Sequence, residues 1–361
     1  MTGTLDLPTK RQEAWKWSDM AALEAAARSD HTAPDVVPSA LFLDIEGPRL
    51  AFIDGVFDPT HSRPGPVQVT AIGEASEHPL GRLAAGEGWR LSLDKGAATE
   101  TIQIVHIGTG ADNHVPARIE LGEDATASVV ESYAGTGWAN RLTQISLARG
   151  ARLMRSVRLM QSAGFVSIRD EANVAEAASL VSVFLGAGGM GSRIDGAIRA
   201  SGTGAYAEMG GALLTRGEQR QEAAVVVDHA EPEGSSRQIW RAVAADTSVA
   251  SLAARVEVKR HAQKTDGEQS LRGLLLDRTA QVNLKPELEI FADDVKCAHG
   301  ATVGELDKRA LFYLESRGLS KGRARALLTR AFVGDAMDRI GEEAVREAFA
   351  EDAGRWLEAA L

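Results

Sequence analysis

The sequence contains one cysteine, Cys297, among 361 residues. An intrachain disulfide is therefore impossible, as is a Cys-x-x-Cys pair or a four-cysteine cluster site within one chain. Any metal centre that uses Cys297 must borrow ligands from His, Asp, Glu or another chain. Aromatic residues are scarce, at 5%, which is poor for stacking on sugars. Positive charge is outweighed: 40 Lys and Arg stand against 50 Asp and Glu, for a net charge of −10. That balance argues against a general nucleic-acid or anionic-membrane binder. No apolar run approaches the roughly eighteen residues of a membrane span. Met1–Lys10 has no basic-then-apolar leader pattern. A cytoplasmic location is the expectation.

Motifs for the common chemistries are missing too. No Gly-x-x-x-x-Gly-Lys-Ser/Thr loop occurs, so the chain should not hydrolyse ATP by itself. Gly186-Ala187-Gly188-Gly189-Met190-Gly191 has the look of a phosphate loop but opens no helix of a βαβ unit. Neither a Gly-x-Ser-x-Gly elbow nor a His-Glu-x-x-His helix is present.

What is present suits a soluble globular protein, with 44% hydrophobic and 25% charged residues. The length predicts two or three units, although an elongated all-β body can run long as one. Residues 1–88 read as a mixed region. Pro8–Ala27 is expected to be helical, with Ser18 or Asp19 as cap, followed by strands at Leu41–Ile45 and Leu50–Val56 and a turn at Asp54-Gly55.

From residue 89 to 302, short alternating runs replace helical periodicity: Thr101–Ile107, Ala117–Leu121, Ala127–Val130, Leu142–Leu147, Leu153–Leu159, Ala223–Asp228, Val249–Val258 and Leu284–Phe291. Period two means half-buried strands. Turns recur between them, with Leu121-Gly122-Glu123-Asp124-Ala125 echoed 26 positions later by Leu147-Ala148-Arg149-Gly150-Ala151. Similar turns stand at Ser201–Ala205 and Asp277–Ala280. A strand-and-turn repeat of roughly 25 to 30 residues predicts a β-solenoid, whose coils bury their inward side chains only by stacking. Gly186–Gly191 and Gly210-Gly211 suit crowded corners. A β-sandwich with irregular spacing is the alternative.

Residues 303–361 return to helical spacing: Val303, Leu306, Ala310, Leu311 and Leu314; then Ala324, Leu327, Leu328, Ala331 and Phe332 after the cap Ser320; then Val345, Ala348, Phe349, Trp356 and Leu357. Gly318 fits the end of the first helix. The second has a basic face of Lys321, Arg323, Arg325 and Arg330, a docking surface or an ordinary solvated face.

Candidate ligands cluster at Asp228-His229, Asp293-Asp294 and Cys297-Ala298-His299. In an extended stretch, Cys297 and His299 point to one face. A thiolate and an imidazole side by side suit iron or zinc, yet a buried Cys is more often a small hydrophobe.

The stretch from Lys285 through Ile290-Phe291-Ala292-Asp293-Asp294-Val295-Lys296-Cys297-Ala298-His299-Gly300 to Gly304 resembles the signature of the SufB/SufD family of iron–sulfur cluster assembly proteins. The likeness continues through Leu311-Phe312-Tyr313-Leu314, Ser316-Arg317-Gly318 and Arg325–Leu328. Upstream it includes Val227-Asp228-His229, Gln263–Asp266 and, in D-type form, Leu7–Lys16. It implies a right-handed parallel β-helix core flanked by an N-terminal α/β region and a C-terminal helical region. It implies a non-catalytic scaffold that pairs with a B-type subunit and holds an ABC-type ATPase, SufC, on its C-terminal helices, here around Leu311, Leu314, Arg325, Leu328 and Phe332. A transient iron–sulfur cluster or iron is implied at the interface, with His299 matching the family's histidine and Cys297 also within the signature. The short chain and the lack of cysteine in Glu268–Asp277 favour the D type. An isolated chain is expected to be able to form a homodimer through its last strand.

Two other readings stand beside this one. A purely structural docking subunit would use His299 only for a hydrogen bond. A carbohydrate-active β-helix enzyme would need paired carboxylates on one face, with Asp170, Asp195 and Asp228 as candidates.

Overall fold

A strand with one apolar face must cover it, and here the cover is the next coil of the same chain. The computed structural model describes residues 7–73 and 76–360; residues 1–6, part of the stretch read for a leader, lie outside them. An entry region contains α1 (Met20–Ala27), β1 (Arg49–Ile53), β2 (Val56–Phe57), β3 (Gln68–Ile72) and β4 (Gly86–Leu93). The coil then runs through β5 (Ile102–Leu121), β6 (Thr126–Leu147), β7 (Arg152–Leu159), β8 (Phe165–Val174), β9 (Ser179–Gly186), β10 (Gly191–Ala200) and β11 (Tyr206–Thr215). It continues through β12 (Arg220–His229), β13 (Ser235–Ala244), β14 (Val249–Val258), β15 (Asp266–Leu275), β16 (Gln281–Ile290) and β17 (Lys296–Glu305). Three helices follow: α2 (Lys308–Ser316), α3 (Lys321–Gly334) and α4 (Glu343–Ala360).

The strands form a parallel β-solenoid of about eight turns. One ladder takes β7, β9, β11, β13, β15 and β17, the other β8, β10, β12, β14 and β16, and the long β5 and β6 bend through both. Inward residues of the two ladders, such as Leu180, Leu213 and Leu271 from one and Ile168, Ile194 and Leu252 from the other, meet in one buried core. The repeat read from the turns is the structural repeat: Leu121 pairs with Leu147, 26 positions on. It lengthens down the chain, with Val249 pairing with Gln281 at an offset of 32. The turn at Ser201–Ala205 belongs to the same edge as those two, whereas Asp277–Ala280 lies between β15 and β16 on the other edge. Gly211 lies inside β11, at φ 146°, where a Cβ would stand 2.0 Å from the Phe184 carbonyl oxygen of the coil before it. The crowding expected at Gly210-Gly211 is present, but within a strand.

Several boundaries differ from the sequence reading. Leu41–Ile45 is not a strand, because side chains satisfy its backbone. Gln103 Nε2 donates to the Leu43 carbonyl at 3.2 Å and its Oε1 accepts from the Leu43 amide at 2.7 Å, while Arg49 donates to the Ile45 carbonyl at 2.9 Å. Leu50–Val56 is a hairpin, β1 and β2, turning through Asp54 and Gly55 at positive φ. Pro8–Ala27 holds only a single 3-10 turn before α1, which starts at the cap Asp19, whose carboxylate accepts from the Ala22 amide at 3.1 Å. Val303 lies within the last strand rather than starting a helix, and Leu306 lies in the link to α2.

The described N- and C-terminal segments both lie on the outside of the coil. The N-terminal segment is held by Arg193, whose guanidinium lies 3.7 Å over the Trp15 ring and also meets Ser18, Asp195 and Glu222. α3, α4 and the link between them pack Val333, Met337, Phe349 and Trp356 on the outward apolar residues Val183, Leu185, Ala212 and Val243 of the first ladder. Ion pairs repeat the attachment at three coils: Arg158 of β7 to Asp352 at 2.6 Å, Glu208 of β11 to Arg339 at 3.0 Å, and Arg241 of β13 to Asp335. Asp352 is fully buried and also meets Arg355. Removing one member of such a pair strands a buried charge. Asp352→Ala is therefore expected to lower unfolding stability by about 3 kcal/mol and to speed proteolytic release of α4, as read by chemical denaturation and limited proteolysis.

Candidate functional site at the open end of the coil

The last coil has no successor. β17 is hydrogen-bonded to β15, leaving its other edge without a ladder partner among the described residues, and all its residues but Cys297 are exposed. Its register puts Cys297 beside Gly267, His299 beside Gln269, Ala301 beside Leu271 and Val303 beside Gly273. Those four β15 positions face inward and are buried. By strand alternation, Cys297, His299, Ala301 and Val303 thus occupy inward positions that nothing covers. The same holds in β16, where Val282, Leu284 and Leu288 continue the buried column of Ala250, Leu252 and Val256 yet are only half-buried. Ile290, Phe291 and Val303 add exposed apolar surface at this end.

The structure thus places Cys297 and His299 on one strand and one face. They differ in environment. Cys297 is half-buried and packs with Val256, Val258, Ala262, Leu288 and Val295. Burial pushes its thiol pKa up, the Asp266 charge adds to this, and a hydrogen bond from the Gly267 backbone opposes both. His299 is exposed. No group of three or more His, Cys, Asp and Glu able to hold a metal exists among the described residues. As a ligand set the pair is incomplete.

The other clusters are elsewhere. Asp293 and Asp294 are exposed in the turn before β17, where the Asp294 amide donates to Gln263 Oε1 at 2.9 Å. Asp228 faces outward between Arg199 and Lys259. His229 faces inward, fully buried, against the Ser236 hydroxyl at 2.8 Å, and burial pushes its pKa down to about 4. The three carboxylates considered for sugar chemistry share no exposed face. Asp170 is buried against Arg155 in the core, burial raising it to about 6, while Asp195 is covered by Arg193 and His78, and Asp228 is ion-paired on the outside.

The helical tail presents a second surface. α2 starts at the cap Asp307, buries no residue, and ends at Gly318 with φ +92°. α3 starts at the cap Ser320, as expected from the sequence. Leu311, Leu314, Leu328 and Phe332 are half-buried. Phe332 packs with the cluster that joins the tail to the coil, and Arg325 donates to the Leu276 carbonyl at 3.0 Å, so both hold α3 to the coil. The residues left outward are Phe312 (74% exposed), Tyr313 and Leu327. The sequence reading passed over all three as site residues. For Phe312 and Tyr313 the signal was an aromatic pair on a helix whose apolar positions were already filled by Leu311 and Leu314, whereas Leu327 was read as part of the apolar row of the second helix. Of the basic face, Lys321, Arg323 and Arg330 stay exposed.

Comparison with known proteins places most of this body in one family. Residues 106–332 match the family described as "SUF system FeS cluster assembly, SufBD core domain". The iron–sulfur cluster assembly protein SufD of Escherichia coli is 25% identical over 377 aligned positions, covering 94% of this chain and 87% of that protein. An iron–sulfur cluster assembly SufBD family protein of Synechocystis is 26% identical, covering 94% of this chain and 85% of its own. A SufBD family protein of Mycobacterium tuberculosis is 30% identical over 66% of this chain and 62% of its own.

The environment of Cys297 has a measurable consequence. It is the sole cysteine, so total alkylation of the folded chain reports it alone. The pH midpoint of its iodoacetamide reaction is expected above the ~8.5 of a free cysteine. A midpoint at or below that value would contradict the burial argument.

Proposed function

The chain belongs to the SufBD family of the SUF iron–sulfur cluster assembly system, and from that premise we propose that it is a non-catalytic D-type scaffold subunit. Its open coil end receives a B-type subunit, and a nascent cluster, or iron, is held between the two chains. The observation that carries this reading is the uncovered inward row of β17, which presents a thiol and an imidazole and no third ligand. Two protein ligands cannot complete a tetrahedral iron site, so a partner must supply the rest. The exposed edge of β17 and the apolar Ile290, Phe291 and Val303 give that partner a strand to pair with and a surface to bury. In the isolated chain a second copy takes the same place. The cluster is cargo rather than a resident cofactor, and an incomplete ligand set suits release.

The exposed Phe312, Tyr313 and Leu327 on α2 and α3 form the docking surface for an ABC-type ATPase, SufC, with Leu311, Leu314, Arg325, Leu328 and Phe332 shaping it from behind. The chain itself carries no nucleotide loop. Among the described residues no helix is long and apolar enough to cross a membrane, and the reading places the complex in the cytoplasm, away from nucleic acid.

Two variants of the complex co-expressed with B-type and ATPase subunits test the two surfaces. His299→Ala is expected to cut anaerobically bound iron and acid-labile sulfide about tenfold or more while both partners still co-purify. Leu327→Arg, at an exposed site with little cost to folding, is expected to lose the ATPase and keep the B-type subunit. Unchanged iron and sulfide in His299→Ala would leave a purely structural docking subunit.

A further inference from the structure

An inward row ends on His299, and its last three rungs are polar. Register pairs Gln238 with Gln269, and Gln269 with His299. Gln238 and Gln269 are both fully buried. They make the same bond one coil apart. Gln238 Nε2 donates across the interior to the Arg255 carbonyl at 3.0 Å, and Gln269 Nε2 to the Glu287 carbonyl at 3.2 Å. Arg255 and Glu287 are themselves register partners. An amide nitrogen turned to a carbonyl fixes its oxygen on the other side. Both Oε1 atoms are buried without a partner, and a buried acceptor left unmade costs free energy.

We infer that Gln269 is a positioning residue for His299: its Oε1 accepts the proton on one ring nitrogen and so turns the other nitrogen out of the open end. The inference rests on the reading of His299 as a ligand. Neighbouring rungs are about 4.8 Å apart, and the next inward position beside Gln269 is His299, so the imidazole stands one rung from that amide. A neutral histidine offers a metal one nitrogen only when the other holds the proton, and the acceptor for that proton selects the tautomer. Gln238 repeats the bond one rung deeper and is too far along the row to touch the ring. Gln269 thereby does for His299 what an outer carbonyl or carboxylate does for a metal-bound histidine, using the solenoid's own repeat to aim it.

The test is nitrogen NMR of the histidine-labelled full-length chain, with the His299 ring assigned by its loss in His299→Asn. In the wild type, one neutral tautomer should dominate. Gln269→Leu should bring the two tautomers toward equal population, and Gln238→Leu should leave them as in the wild type. Identical tautomer populations in wild type and Gln269→Leu would overturn the inference. Should Gln269→Leu fail to fold, Gln269→Met, which keeps the length of the side chain and lacks the acceptor, is read in its place. Failure of His299 as a ligand would show in cluster content and leave the tautomer populations unaffected, so the two claims fail separately.

Discussion

Coil-on-coil stacking governs this molecule. No coil can cover its own inward residues, so each depends on the next, and the chain of dependence must stop somewhere. It stops at β16 and β17, where the column that buries Leu252 upstream leaves Leu284 half-covered and where Cys297 and His299 take inward positions with nothing beyond them. Features that an isolated protein would avoid, an unpaired strand edge and exposed large apolar residues, occur at the end that carries Cys297 and His299. That coincidence, more than either side chain alone, supports the proposal of a shared site.

The helical tail lies along the outside of the solenoid rather than over its open end. α3, α4 and the link between them run along the first ladder, bonded in turn to β13, β11 and β7, and Glu342 reaches back to Thr101 near the start of β5. α2 is left out of this attachment. It is joined to β17 by a two-residue link and buries nothing. A partner gripping Phe312 and Tyr313 would hold the one helix that continues directly from the site strand.

Much of this was legible in sequence because turns recur at the coil period. Leu121 and Leu147, matched by their turns, are register partners. Four of the strands that escaped notice share a different cause. β8 carries inward Asp170, and β13 inward Ser236 and Gln238, while β15 and β17 carry Gly267, Gln269, Cys297 and His299 where apolar residues were sought. Their alternation is present in geometry but hidden in chemistry, because long-range pairs such as Arg155 with Asp170, or Gln238 with the Arg255 carbonyl, satisfy polar groups that a local reading assigns to the surface. Leu41–Ile45 failed in the opposite sense: it looks apolar enough for a strand, but Gln103 and Arg49 take its backbone. The site pair itself was visible as Cys297-Ala298-His299, whereas its position at an uncovered rung was not, since nothing local marks which coil is last.

The central claim is that the coil end is completed by a partner chain. Amide hydrogen exchange of the full chain, with and without a B-type subunit, tests it most directly. The account predicts slowed exchange concentrated in β16 and β17, with β7 to β12 unchanged. Slowed exchange elsewhere on the solenoid, with β17 exchanging as in the free chain, would contradict it.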